Sequence, residues 1–99
     1  MPRSVSYHDY LIRSLMDPRE AEGYLKAALE DEDPRVFLLA LRNVAEARGG
    51  MSKVAAASKL NRESLYRMLS ENGNPSLQSL RALLSSLGFR LAVESKDAA

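Results

Sequence analysis

Apolar positions recur at helical spacing along most of the chain. Ala21, Tyr24, Leu25, Ala28 and Leu29 fall at i, i+3, i+4, i+7 and i+8, the stripe of a helix that lies on a core. Asp17-Pro18-Arg19-Glu20 precedes them with a helix start: Asp as N-cap, Pro at the first helical position, and Glu three residues after the cap. Asp33-Pro34 repeats that start. The helix it opens, Arg35 to Arg48, carries Val36, Phe37, Leu38, Leu39, Ala40, Leu41, Val44, Ala45 and Ala47 around most of its circumference before Gly49-Gly50 stops it. A helix apolar nearly all round is enclosed on several sides, so this one is expected to be the central pillar. Leu77, Leu80, Leu83, Leu84 and Leu87 form the last stripe, capped by Asn74 or Ser76 and ended by Gly88.

The two ends read less simply. In Val5 to Met16 the spacing of Tyr7, Tyr10, Leu11 and Leu15 suits one face of a short helix, while Tyr10 and Ile12 also permit an extended segment. That segment either completes the core as a strap or offers Tyr7, Tyr10, Leu11 and Leu15 to a partner. Phe89-Arg90-Leu91-Ala92-Val93 alternates as a strand does, and a lone strand must pair with something. The same strand of a second copy is the simplest partner, giving a two-fold homodimer through Phe89, Leu91 and Val93. Pairing with Val5 to Ile12, or a disordered tail, stays open. The expected fold is therefore all-α, a compact bundle of about five helices with a short C-terminal β-strand. It forms one domain over residues 1–99, with a polar, frayed end from Glu94 onward.

Met51 to Leu69, MSKVAAASKLNRESLYRML, reads as two short helices joined by a turn too tight for them to lie side by side, a helix-turn-helix. Ala55, Ala56 and Ala57 provide the small surface for a close crossing. Val54, Leu60, Leu65, Met68 and Leu69 supply the inner face, with Leu60 plugging the turn. Asn61 is a suitable N-cap for the second helix. Arg62, Glu63, Tyr66, Arg67 and Ser70 are then left pointing outward as candidate base readers, because such a helix fits the major groove, where Arg pairs with guanine and Glu accepts from cytosine. Ser52 and Lys53, at the start of the first helix, are placed to hold phosphates. Asn72 and Asn74, in the Ser70 to Pro75 loop where Gly73 is free to take a positive φ, would add polar donors near the DNA backbone or else bond their own turn. Tight corners of this kind also occur in purely structural bundles.

Charge sharpens this picture. The net charge is only +1, but residues 1–50 carry seven basic and nine acidic side chains and residues 51–99 seven basic and four acidic. One half can meet phosphates while the other meets a basic partner. The acidic run Glu30-Asp31-Glu32-Asp33 ends a helix with carboxylates that diverge into solvent, which does not suit acid–base chemistry. There is no cysteine, and His8 is the single histidine, so no metal site is expected. No phosphate-binding glycine loop or paired nucleophile and base is present, so neither an enzyme nor a cofactor is expected. The absence of an apolar signal core or a membrane-length run makes a cytoplasmic protein the expectation.

From Met51 to Gly88, through NPSLQSLRALLSSLG, the sequence resembles the repressor-type (Cro and phage-repressor, XRE-like) helix-turn-helix domain. Lys59 stands where many members have Gly in the turn, and Ser58 where they often have an apolar residue. The turn then either asks a positive φ of a lysine, at about 1 kcal/mol, or takes a slightly different shape. SYHDYLIRSLMDPREAEGYLKAALEDEDPRVFLLALRNVAEARGGMSKVA, joined to LNRESLYRMLSENGNPSLQSL, looks like the addiction-module antidote proteins, the antitoxin halves of type II toxin–antitoxin pairs, over about residues 5–94. The resemblance implies a cognate toxin, commonly a small basic RNA-cleaving protein, and repression of the shared operon through a palindromic double-stranded operator. The acidic first half and the Val5 to Leu15 segment would face the toxin. A stand-alone repressor without a toxin, or a helical module that binds only protein, would share the same corner.

Overall fold

Both Asp-Pro signals start helices. In a computed structural model that describes residues 6–97 the chain forms α1 (Tyr7–Ser14), α2 (Pro18–Leu29), α3 (Pro34–Ala47), α4 (Met51–Ser58), α5 (Arg62–Met68) and α6 (Leu77–Ser86). Val5 and the last two positions of the tail lie outside the described residues. The side chains of Asp17 and Asp33 accept the backbone N–H of Arg19 and Arg35, each at 2.9 Å, with proline in the first turn. Asn61 caps α5 by accepting from Ser64 N–H at 3.1 Å, and it is Ser76 rather than Asn74 that caps α6, accepting from Ser79 N–H at 3.1 Å. The described residues hold six helices rather than about five because the N-terminal segment is helical, with Ser6 accepting from Asp9 N–H at 3.0 Å.

The core gathers on α3, against which α1, α2 and α4 pack, while α4 in turn carries α5 and α6. Leu41, Val44 and Ala45 are fully withdrawn from solvent, joined by Leu15 from α1's end, Ala21 and Leu25 from α2, Val54 and Ala55 from α4, Leu65 from α5 and Leu83 from α6. The pillar is not enclosed all round, as its apolar content suggested. Leu39 is 58% exposed and Val36 37%, because among the described residues no helix covers the face of α3 that also carries Arg35 and Arg42. Inside the bundle Asn43 is buried and donates from Nδ2 to the Tyr24 hydroxyl at 2.9 Å, so its amide is not left unpaired.

The end of α4 accommodates both Lys59 and Ser58. Lys59 takes the left-handed conformation, φ 60° and ψ 26°, while Leu60 N–H donates to Ala55 C=O at 3.0 Å and Lys59 N–H to Ala56 C=O at 3.3 Å, the double bond pattern of a Schellman cap. Glycine does the same work after α3 (Gly49, φ 109°) and after α6 (Gly88, φ 91°). The turn thus keeps the glycine geometry with a lysine in it. Ser58 is buried without leaving its hydroxyl unpaired, because Oγ donates to Val54 C=O at 2.8 Å.

Two expectations are overturned. No strand forms among the described residues. Phe89 N–H is spent on Leu84 C=O at 2.8 Å, closing the cap of α6, and the Phe89 ring packs against the core. Residues beyond it run along α2 with no strand beside them, and the N-terminal segment cannot pair because it is α1. The homodimer drawn through Phe89, Leu91 and Val93 loses its structural basis for the same reason. Gly73 does not take a positive φ. Glycine is required there by space instead, since a Cβ would collide with the Met68 carbonyl oxygen and lie 2.6 Å from its carbon. Among the described residues no helix is long and apolar enough to cross a membrane.

Two stability measurements check this account. Leu41→Ala should cost about 2–5 kcal/mol in urea unfolding, because it empties the fully buried centre of α3. Lys59→Gly should raise stability by about 0.5–1 kcal/mol by relieving the left-handed lysine, visible as an increase of a few degrees in Tm.

Candidate nucleic-acid interface

α5 rises from the Lys59–Asn61 turn and buries Leu65 and Met68 against the core, which turns Arg62, Glu63 and Arg67 outward. Its length of seven residues leaves room for two turns of exposed side chains. Arg62 lies with its guanidinium 5.6 Å from the Tyr66 ring centroid, and Arg42, from the uncovered face of α3, approaches the same ring at 5.5 Å. Tyr66 is therefore steadied by two cations and is only 36% exposed. Arg42 is part of this cationic corner although sequence reasoning did not single it out. Its signal was present, since Arg35 and Arg42 mark a polar stripe on a helix otherwise read as apolar all round.

Ser52 and Lys53 are exposed in the first turn of α4. Gly50 is the N-cap there and supplies no side-chain hydrogen bond, so the first N–H groups of α4 are not capped by a side chain. Asn61 has its Oδ1 committed to the cap of α5. Ser70 is half-buried, and its hydroxyl donates to Arg67 C=O at 2.7 Å, so it closes the helix end rather than offering its proton outward.

Arg67 lines a cavity of about 390 Å³ between α5, the loop and the start of α6, together with Ser64, Asn72, Asn74 and Ser76. The structure thus brings Arg67, Asn72 and Asn74 to one polar hollow, while Ser52 and Lys53 stand on a different helix. The loop is tied back by Arg35, whose guanidinium contacts Asp33 at 2.8 Å and Glu71 at 3.5 Å. The Arg35 side chain, with its backbone N–H, holds the Asp33 carboxyl below its ordinary range, and Asp33 in turn raises the Arg35 guanidinium.

The segment assigned to a partner divides into two parts. Leu15 is buried at 1% exposure and Leu11 packs against the core, so both belong to the fold. Tyr7 and Tyr10 remain outside, at 79% and 65% exposure, and α1 is further joined to α3 by His8 Nε2, 3.2 Å from Glu46. At the other end, Phe89 lies against the core while Leu91 and Val93 border a groove of about 590 Å³ along α2. That groove shares no lining residue with α4, α5 or the loop.

These features define a small all-helical protein with a cationic corner and, apart from it, a groove. The chain belongs to the family of probable addiction module antidote proteins, whose match spans residues 7–95. It is 31% identical over 80 residues to an uncharacterized protein of Haemophilus influenzae, covering 81% of each chain. No solved structure matches it. Membership of an antidote family supports an antitoxin role and implies a toxin as partner.

The Asp33–Arg35 pair makes a pH prediction. A carboxyl depressed in the folded state contributes stability above its unfolded pKa and loses it as pH falls through the folded value. Asp33→Asn keeps an N-cap but removes the charge. Urea midpoints measured from neutral pH down to about pH 2.5 should therefore show less acid destabilisation below about pH 4 in the variant than in the parent.

Proposed function

We propose that this protein is the antitoxin of a toxin–antitoxin operon and a sequence-specific DNA-binding repressor of that operon. The observation that carries the DNA half is the exposed α5 corner: Arg62, Glu63 and Arg67 project from a helix anchored by Leu65 and Met68. Arg67 and Glu63 would read base edges in the major groove, with Arg62 and the steadied Tyr66 beside them. Ser52, Lys53 and the uncapped amides of α4 would hold one stretch of backbone, and Asn72 and Asn74 another. The sequence of the corner resembles the repressor-type helix-turn-helix, and its turn holds Lys59 in the left-handed conformation.

The antitoxin half rests on the family. A small RNA-cleaving toxin is its natural target, and binding it would both silence the toxin and couple its level to repression. Two copies on a palindromic operator would set two α5 helices about one helical turn apart, roughly 34–36 Å.

Fluorescence anisotropy on DNA from upstream of its own gene, against scrambled DNA of equal length at two salt concentrations, tests the repressor. Specific binding that weakens with salt is expected. Arg67→Ala should cost about 1–3 kcal/mol and relax preference at one base pair, whereas Lys53→Ala should weaken all sequences and flatten the salt dependence. Indifference of binding to both substitutions would instead make the corner a structural one.

A further inference from the structure

We propose that the groove between α2 and residues 88–94 is where the toxin docks, receiving an extended segment whose apolar side chains are flanked by basic ones. The inference rests on the antitoxin reading above and adds the surface and the chemistry of the partner. The floor of the groove is already dry: Leu25, Phe37 and Leu84 are buried. Its rim is not. Leu29 is 56% exposed, Leu91 38% and Val93 fully exposed, three large apolar side chains gathered at one place on a small protein.

The tail that forms one wall is neither helix nor strand, and among the described residues the main chain of 90–94 makes no backbone hydrogen bond. Its N–H and C=O groups are available to the main chain of a segment laid alongside, while Leu29, Leu91 and Val93 offer apolar contacts for that segment's side chains. A small molecule would leave that row of main-chain groups unused.

Charge selects the flanking residues of the occupant. Around the groove and its α2 end, Glu22, Glu30, Asp31, Glu32 and Glu94 outnumber Lys26 and Arg90. Lys26 is already matched by Glu22 at 3.8 Å, and Asp33 next door is taken by Arg35. Glu30, Asp31 and Glu32 thus stand without a basic partner among the described residues; Glu30 lines the groove and the other two follow it at the end of α2. Cationic side chains beside an apolar anchor complement that arrangement. No lining residue of the groove belongs to α4 or α5.

The test uses the full chain and, as probe, the protein encoded by the neighbouring reading frame. Affinity is measured by titration calorimetry at two salt concentrations for the parent, for Leu29→Glu with Val93→Glu, for Glu30→Lys with Glu32→Lys, and for Tyr7→Ala with Tyr10→Ala. All altered side chains are exposed, and circular dichroism together with operator binding verifies that each variant remains folded. The groove pair should weaken binding at least about tenfold, as loss of central apolar anchors does. The Glu30 and Glu32 pair should weaken it severalfold and reduce its salt dependence, and the tyrosine pair should leave it unchanged. Amides of residues 90–94 should gain hydrogen-exchange protection in the complex. Full affinity in the groove pair, loss in the tyrosine pair, or no added protection at 90–94 overturns the groove and leaves the antitoxin reading standing. A parent that neither binds the probe nor relieves its toxicity removes both.

Discussion

Leu41, Val44 and Ala45 lose all contact with water because α1, α2 and α4 close on the same side of α3. Each of those helices has an apolar stripe too narrow to be stable alone, and α3 is the surface on which the stripes are buried together. The placement of α5 depends on this arrangement at one remove. α4 is seated on α3 through Val54 and Ala55, whose small volumes permit close approach, and α5 is hung from α4 by a three-residue turn. The cationic corner is therefore only as well placed as the α3 core is well packed.

Polar interactions add position more than stability. The exposed pairs of His8 with Glu46 and Arg35 with Asp33 and Glu71 are of a kind worth little individually in water. What they do is connect elements: α1 to α3, and the start of α3 to the loop after α5. Tyr66 is a similar case. Two guanidinium groups within 6 Å of its ring limit where the ring and Arg62 can go, which orders this surface.

The two surfaces are built from separate elements. A groove lined by α2, the end of α6 and the tail shares no residue with the corner formed by α4 and α5. Communication between them would have to pass through the common core, where α2 and α4 both rest on α3.

Much of this was legible in the residues themselves, wherever the signal is local. Asp17-Pro18, Asp33-Pro34 and Asn61 act through bonds to backbone groups two or three positions away, and Gly49 and Gly88 through their own φ, so their effects do not depend on the rest of the molecule. The outward set Arg62, Glu63 and Arg67 follows from helical period once Leu65 and Met68 are known to be inside. Tertiary structure decided what local pattern leaves degenerate. Alternation in Phe89 to Val93 is compatible with a strand, but a strand exists only where a neighbour supplies hydrogen bonds, and the cap of α6 together with burial of Phe89 directs this segment along α2 instead. Leu15 and Leu39 look alike in the sequence. One is 1% exposed and the other 58%, because the difference lies in whether another helix arrives to cover them, and that is a property of the whole packing rather than of either neighbourhood.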